Sequence, residues 1–275
     1  MRLQPVQRTG LTRRGWWRVR FAMAVRRCGQ LVTFRRPWRL VRSMARGDED
    51  ICFERREVTV IAPNVPAARG VVFELFCEDE YRLDELLFDS DRPAVVDIGA
   101  HIGCFALTVA VRFPGAVVDT FEASAATAGY LERNVALNGC GDRVRVHRTA
   151  VAGSVGSLEL ADAGVGSAHN GLLYLGHRAT TAVVVPCIGL AEVISQAGGH
   201  VDLLKLDAEG AEHQIIGEAS NETLAAIDRM VLEYHPVAGS SFETLRRRCE
   251  RSGLAMTDQR VDGPELGLAW FSRRI

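Results

Sequence analysis

From residue 94 onward, short apolar runs alternate with stretches of helical spacing. The runs are "AVVDIG" (94–99), "AVVDTFE" (116–122), "RVRVHRTAV" (143–151), "HVDLLKLDAEG" (200–210) and "RMVLEYHP" (229–236). Between them 103–112, 125–138, 189–197 and 240–252 read as helices, with another from the "DAEG" turn to about 220. Two further strands, "LAMTDQRV" and "LGLAWFSRR", close the chain. Strands that are apolar on both sides belong inside a covered sheet, and strand–helix alternation builds a parallel one. The expected class is therefore α/β. In such sheets ligands bind beyond the carboxyl ends of the strands, near the point where the strand order reverses.

That rule directs attention to the loop "DIGAHIG" after the first of these strands. Gly99 and Gly103 allow turn geometry and a close approach of the backbone. A dinucleotide would need glycine where His101 stands, because the pyrophosphate must meet bare backbone there. A zwitterionic ligand with a ribose but no phosphate, such as S-adenosylmethionine, suits the loop better. Asp97 is then expected near its cationic end. Glu122, 25 residues on at the end of the second strand, can accept hydrogen bonds from two ribose hydroxyls.

A third feature is "DLLKLDAEGAEHQII" (202–216). Lys205 and Asp207 point the same way on a strand, and Glu209 and Glu212 follow at the turn. Lys205 is the only lysine in the chain; every other basic side chain is Arg. Glu233 and His235 share one side of the next strand near its carboxyl end. These residues converge on the expected ligand loop. A helix cap for Glu212 and a structural ion pair for Lys205 are the alternative readings.

"VVDIGAHIGCFAL", "TFEAS", "LERNVALNG", "VDLLKLDAEGAEHQIIGEA" and "VLEYH" together resemble the FkbM-type methyltransferases, over roughly residues 70–235. The "KxDxEGxE" segment is the most specific part. The family commonly has Asn or Asp at the place of His101 and Pro at that of Ala123. The resemblance implies a Rossmann-like class I methyltransferase fold, with a seven-stranded, mostly parallel sheet whose last strand is antiparallel. It implies S-adenosylmethionine as cofactor and methyl transfer to a hydroxyl of a sugar or small natural product. Asp97, Gly99, Ala100, His101, Gly103, Glu122, Ala123 and Asp207 form the expected cofactor-binding set. Asp207, Glu209, His235 and Lys205 form the expected catalytic set, with His235 having the intrinsic pKa best suited to a base. Mg²⁺ held by Asp207 with Glu233 or His235 is an alternative that no tight ligand spacing supports, and it is not favoured. An amino-group methyltransferase would carry an [N/D]-P-P-[Y/F] turn where this chain reads "DAEG".

Ahead of the alternating region the composition changes. Residues 1–47 hold 13 Arg and no acidic residue, leaving 20 basic against 34 acidic side chains in the rest. Trp16, Trp17 and Trp38 lie among apolar residues and Arg there, which reads as one or two amphipathic helices with a basic face. Residues 1–55 are read as a basic helical extension and 56–275 as the Rossmann-like domain. A hairpin of 57–63 with 70–77 and a short helix over 78–88 are expected before the first central strand. The cofactor fold is expected to survive removal of 1–47. The basic start leaves an RNA-directed enzyme as an alternative, which the acidic remainder opposes; a non-catalytic cofactor-binding protein is another. Seven scattered Cys without a CxxC, and no long uncharged apolar run, point to a reducing cytoplasmic setting without a membrane span.

Overall fold

The computed structural model describes residues 29–162, 166, 171–172 and 181–273. The tryptophan pair Trp16–Trp17 and most of the 161–181 loop lie outside these residues. The elements run α1 (Pro37–Arg46), β1 (Asp50–Arg55), β2 (Val58–Pro63), α2 (Pro66–Glu78), β3 (Ala94–Ile98), α3 (Cys104–Arg112), β4 (Val117–Phe121), α4 (Ala125–Leu137) and β5 (Val144–His147). There follow β6 (Ala150–Val151), β7 (Gly156–Asp162), β8 (Gly171–Leu172), β9 (Thr181–Ile188), α5 (Leu190–Gln196) and β10 (Leu203–Leu206). The last are α6 (Glu212–Glu218), α7 (Asn221–Ala225), β11 (Arg229–Tyr234), α8 (Phe242–Arg251), β12 (Leu254–Gly263) and β13 (Leu266–Arg273).

Seven strands form the central sheet in the order β12-β13-β11-β10-β3-β4-β5. β13 runs antiparallel to both its neighbours, while β11, β10, β3, β4 and β5 are parallel. This is the class I methyltransferase arrangement, with the last strand inserted between the two before it. Alternate residues of β3 serve opposite faces. Val95 joins an apolar layer with Val72, Phe105 and Leu131 of α2, α3 and α4. Val96 joins the other layer, with Val193, Ile215 and Leu245 of α5, α6 and α8. Two covered faces explain why β3, β4 and β10 carry apolar residues without alternation. The order reverses between β10 and β3, so the crevice opens at their carboxyl ends.

Three local expectations differ from what forms. The hairpin exists, but β2 pairs antiparallel with β1, not with 70–77. Residues 70–77 belong to α2, where Pro66 starts the helix and Ala68, Val72, Phe73, Leu75 and Phe76 bury at helical spacing. Their apolar run looks like a strand only because that helix is covered on more than one side. Glu78 ends α2, and residues 79–88 hold a single 3₁₀ turn (Leu83–Glu85), since Asp79 and Arg82 take left-handed φ of 47° and 56°. The run 143–151 divides after His147: β6 leaves the main sheet and pairs parallel with β9 in a four-stranded sheet.

The extension is not a separate layer in its described part. The 55/56 boundary falls in the turn of the β1–β2 hairpin. Phe34 is buried, with its ring edge-on to Phe53 at 5.4 Å and to Phe73 at 5.6 Å. Phe34, Leu40, Ile51 and Phe53 share the apolar layer that contains Val95. Trp38 and Val41 of α1 stay largely exposed. Among the described residues, no helix is long and apolar enough to cross a membrane.

Removing residues 1–47 therefore strips Phe34 and Leu40 from the core, against the expectation that the fold tolerates it. Phe34→Ala is expected to lower the free energy of unfolding by about 3–5 kcal/mol, the usual cost of an aromatic cavity. Urea titration of the variant against the parent protein checks this.

Candidate active site

The loop after β3 is shaped by contacts as much as by ligand needs. Gly99 has φ 75°, and a Cβ there would lie 1.7 Å from the carbonyl oxygen of Asp207. Glycine is required because two loops at neighbouring strand ends touch backbone to backbone. Gly103, at φ 91°, leaves room for Leu131, whose Cδ1 would sit 2.3 Å from an added Cβ. Between them His101 also takes a left-handed φ of 51°. Its amide donates to Glu122 Oε2 at 2.9 Å, and the amide of Ser124 donates to Glu122 Oε1 at 2.8 Å. Burial raises the Glu122 pKa to about 7, against the lowering pull of those two amides. The imidazole of His101 is pushed down to about 4 by burial and is neutral.

Lys205 lies beside Asp97 in the β10–β3 register. Its Nζ is buried, 3.3 Å from Asp97 Oδ1 and 3.3 Å from Asp207 Oδ2, and donates to the Gly99 carbonyl at 2.7 Å. Burial alone would lower its pKa, but Asp97 and Asp207 outweigh burial and raise it. Lys205 is thus a fixed cation. Asp97 is fully buried, and burial raises its pKa against the opposing pull of Lys205.

The turn after β10 brings three more carboxylates together. Glu212 is fully buried; its Oε1 accepts from the Ala208 amide at 2.6 Å and its Oε2 from the Gly210 amide at 2.9 Å. It therefore braces the turn from inside, and with Gly210 at φ 101° allows Glu209 its left-handed φ of 51°. His235 Nδ1 lies 3.2 Å from Glu212 Oε1. His235 Nε2 is 3.8 Å from Glu233 Oε1 and 3.9 Å from Glu209 Oε2. Tyr81 donates from its hydroxyl to Glu233 Oε2 at 3.2 Å and reaches Asp207 Oδ2 at 3.4 Å. Burial, reinforced by Asp207, lifts Glu209 to about 8 and moves Glu233 in the same direction. Burial would depress His235, but the hydrogen bond and charge of Glu212 carry it up to about 10.

A cavity of about 780 Å³ spans the carboxyl ends of the strands. At the β4 side it is bordered by Gly99, Ala100, His101, Glu122 and Ala123, with Val151 and Leu160 as apolar wall. At the β10–β11 side it is bordered by Lys205, Asp207, Glu209 and Glu233, and Tyr81 and Glu74 close it from before β3. Asp97 and Gly103 sit beneath the wall. His235, expected around the acceptor, stands one layer behind Glu209 and Glu233, because Glu212 draws its ring inward.

Residues 97–253 match the Methyltransferase FkbM domain. The chain belongs to the FkbM methyltransferase family. It is 26% identical over 192 residues to Methyltransferase 1 of Beauveria bassiana, covering 62% of this chain and 76% of that one. A stretch of 59 residues is 37% identical to the release factor glutamine methyltransferase of Chlorobaculum tepidum, covering 22% of this chain and only 20% of that protein. The solved methyltransferase FkbM from Methylobacillus flagellatus aligns with TM-score 0.48 and 15% identity, covering 76% of this chain and 58% of that one.

Tyr81 and the brace formed by Glu212 are the parts of this FkbM protein's site that sequence reasoning missed. Tyr81 lies in "EDEYR", read as a helix; its acidic neighbours gave no sign that it would turn into the crevice. Glu212 shows as a glutamate two residues after a glycine, which fits a brace and an ordinary helix start equally.

The pKa shifts set a direction for pH dependence. In the unliganded protein, held in chelator, His235, Glu209 and Glu233 all bind protons more tightly folded than unfolded. Their contribution is fully present at low pH and is lost as pH rises through the folded values. The melting temperature is expected to fall between pH 6.5 and 9, and Glu233→Gln is expected to flatten that decline. Thermal melts across the range by circular dichroism check it.

Proposed function

We propose that this protein transfers the methyl group of S-adenosylmethionine to a hydroxyl of a sugar or small natural product. The observation that carries the reading is a single cavity bordered at one end by the glycine loop and Glu122, and at the other by Asp207, Glu209 and Glu233. The fit to the cofactor rests on the β4 end. Glu122 is a buried carboxylate at a strand end, with capacity beyond its two amide partners for ribose hydroxyls. Small side chains at Ala100 and Ala123 and the apolar wall of Val151 and Leu160 suit a purine. His101, neutral, adds no charge beside it.

When bound, the cofactor supplies an electrophilic methyl group on a sulfonium. The chain has then to orient an oxygen in line and take its proton. Asp207 and Glu209 border the cavity and are the groups placed to accept the hydroxyl's hydrogen bond. Tyr81 and Lys205 hold Asp207 from behind, so its orientation is set before an acceptor arrives. Lys205 keeps its proton and does not act as base. His235 is a positioning residue for Glu209 and Glu233 in this scheme. The turn after β10 reads "DAEG" in place of the [N/D]-P-P-[Y/F] turn of amino-group methyltransferases, which favours a hydroxyl.

Two measurements test the reading. Glu122→Ala is expected to weaken binding of S-adenosylhomocysteine by about 1–3 kcal/mol, the scale of hydrogen bonds to a charged acceptor, as read by calorimetry. Asp207→Asn and Glu209→Gln are assayed with labelled S-adenosylmethionine against a panel of hydroxylated sugars and small natural products. Loss of the true base should lower kcat by roughly 10²–10⁴-fold. Parent-level turnover in both variants would overturn the assignment.

A further inference from the structure

We infer that Asp207, Glu233 and His235 form a binding site for a divalent cation, Mg²⁺ or Mn²⁺, at the acceptor end of the cavity. One ligand atom from each, two carboxylate oxygens and an imidazole nitrogen, lie within 4.8 Å of one another. The ligands come from two adjacent strand ends 26 residues apart in sequence, which is why no metal spacing is visible in the chain.

What surrounds the three residues is the independent observation. Glu212, fully buried and itself fixed by two backbone amides, takes Nδ1 of His235 at 3.2 Å. A buried carboxylate behind a histidine sets its tautomer and turns Nε2 outward, the arrangement that accompanies metal-bound histidines. Nε2 faces Glu233 Oε1 at 3.8 Å. The other oxygen of Glu233 is held by Tyr81 at 3.2 Å, and Asp207 Oδ2 by Lys205 at 3.3 Å and Tyr81 at 3.4 Å. Each carboxylate is thus anchored through one oxygen, and the second oxygen of Glu233 is the one that faces His235. A cation bound there would displace the proton that Glu212 otherwise favours on His235, leaving a neutral imidazole as ligand. Two carboxylates and one imidazole suit a hard or borderline divalent ion.

A second group, His200, Asp202 and Asp228, also lies within ligand distance but has different work. Asp202 Oδ2 accepts from the Ala94 amide at 2.7 Å, His200 faces Asp228 at 3.1 Å, and the group does not border the cavity. It serves as an internal control.

The inference rests on the methyltransferase reading only for the role of the ion. There, the acceptor hydroxyl occupies an open position on the cation and becomes more acidic. Its proton passes to Glu209, the oxygen–carbon bond forms, and the carbon–sulfur bond breaks with release of the thioether. This role also gives His235 a reason to be kept behind the wall.

The test is a Mn²⁺ titration of the full chain followed by electron paramagnetic resonance, with S-adenosylhomocysteine affinity measured in parallel. One saturable Mn²⁺ per chain, displaced by Mg²⁺, is expected. Glu233→Gln, which keeps its shape, and His235→Ala should each weaken it tenfold or more. His200→Ala should leave it unchanged, and S-adenosylhomocysteine affinity should stay within twofold in all three variants. Absence of saturable Mn²⁺ binding, or binding that survives Glu233→Gln and His235→Ala, overturns the site. Failure of the parent protein to bind S-adenosylhomocysteine would instead strike the methyltransferase reading and leave the metal result standing.

Discussion

The ammonium group of Lys205 is the interaction on which the rest of the site depends. Buried between β3 and β10, it faces Asp97 and Asp207 at 3.3 Å each and holds the Gly99 carbonyl at 2.7 Å. Two buried carboxylates on adjacent strand ends would repel one another and be costly to desolvate. With one cation between them they become a fixed frame, and the cation gains the hydrogen bonds that burial requires. The same ammonium ties the glycine loop to the strand carrying Asp207. The β4 end and the β10–β11 end of the cavity are therefore tied together by a single side chain.

The contact of Gly99 with the Asp207 carbonyl reinforces that coupling. Loop and turn touch at backbone distance, so neither can shift without the other. This gives the glycine a meaning different from the one a ligand-centred view assigns. It admits a neighbouring strand end. Gly103 follows the same logic against Leu131. The helix start of α3 is thus set by packing, and the amides of Gly99, Ala100, His101 and Gly103 are all spent on partners within the protein.

Behind the wall, Glu212 plays the corresponding part for the second half of the site. Its carboxylate satisfies two amides of the "DAEG" turn and the Nδ1 side of His235, so one buried charge shapes a turn and orients a ring. Burial is what makes this group of carboxylates chemically distinctive. Glu209 and Glu233 are forced to hold protons more tightly than carboxylates in water, chiefly because solvent is excluded and then because Asp207 is near.

Much of this was legible in the chain itself. Apolar residues without strict alternation at 94–98, 117–121 and 203–206 point to strands buried on both faces, and their alternation with helices points to a parallel sheet. Asp97, Glu122, Asp207 and Glu233 mark strand ends because a carboxylate closing an apolar run has only the crevice or a buried cation to turn to. The lone lysine beside Asp207 is visible as well. Tertiary structure alone decided the rest. Residues 70–77 look like a strand in sequence, because an apolar helix covered on several sides loses its period; packing against β2 and α3 makes it α2. Tyr81 reaches Glu233 across 152 positions, and Phe34 enters the core through Phe53 and Phe73, contacts no local pattern encodes. His235 carries the pKa of a base in sequence, but a buried glutamate 23 residues earlier holds its Nδ1 and raises that pKa. Sequence periodicity records what each segment hides from water; which charges then meet depends on how the hidden faces are stacked.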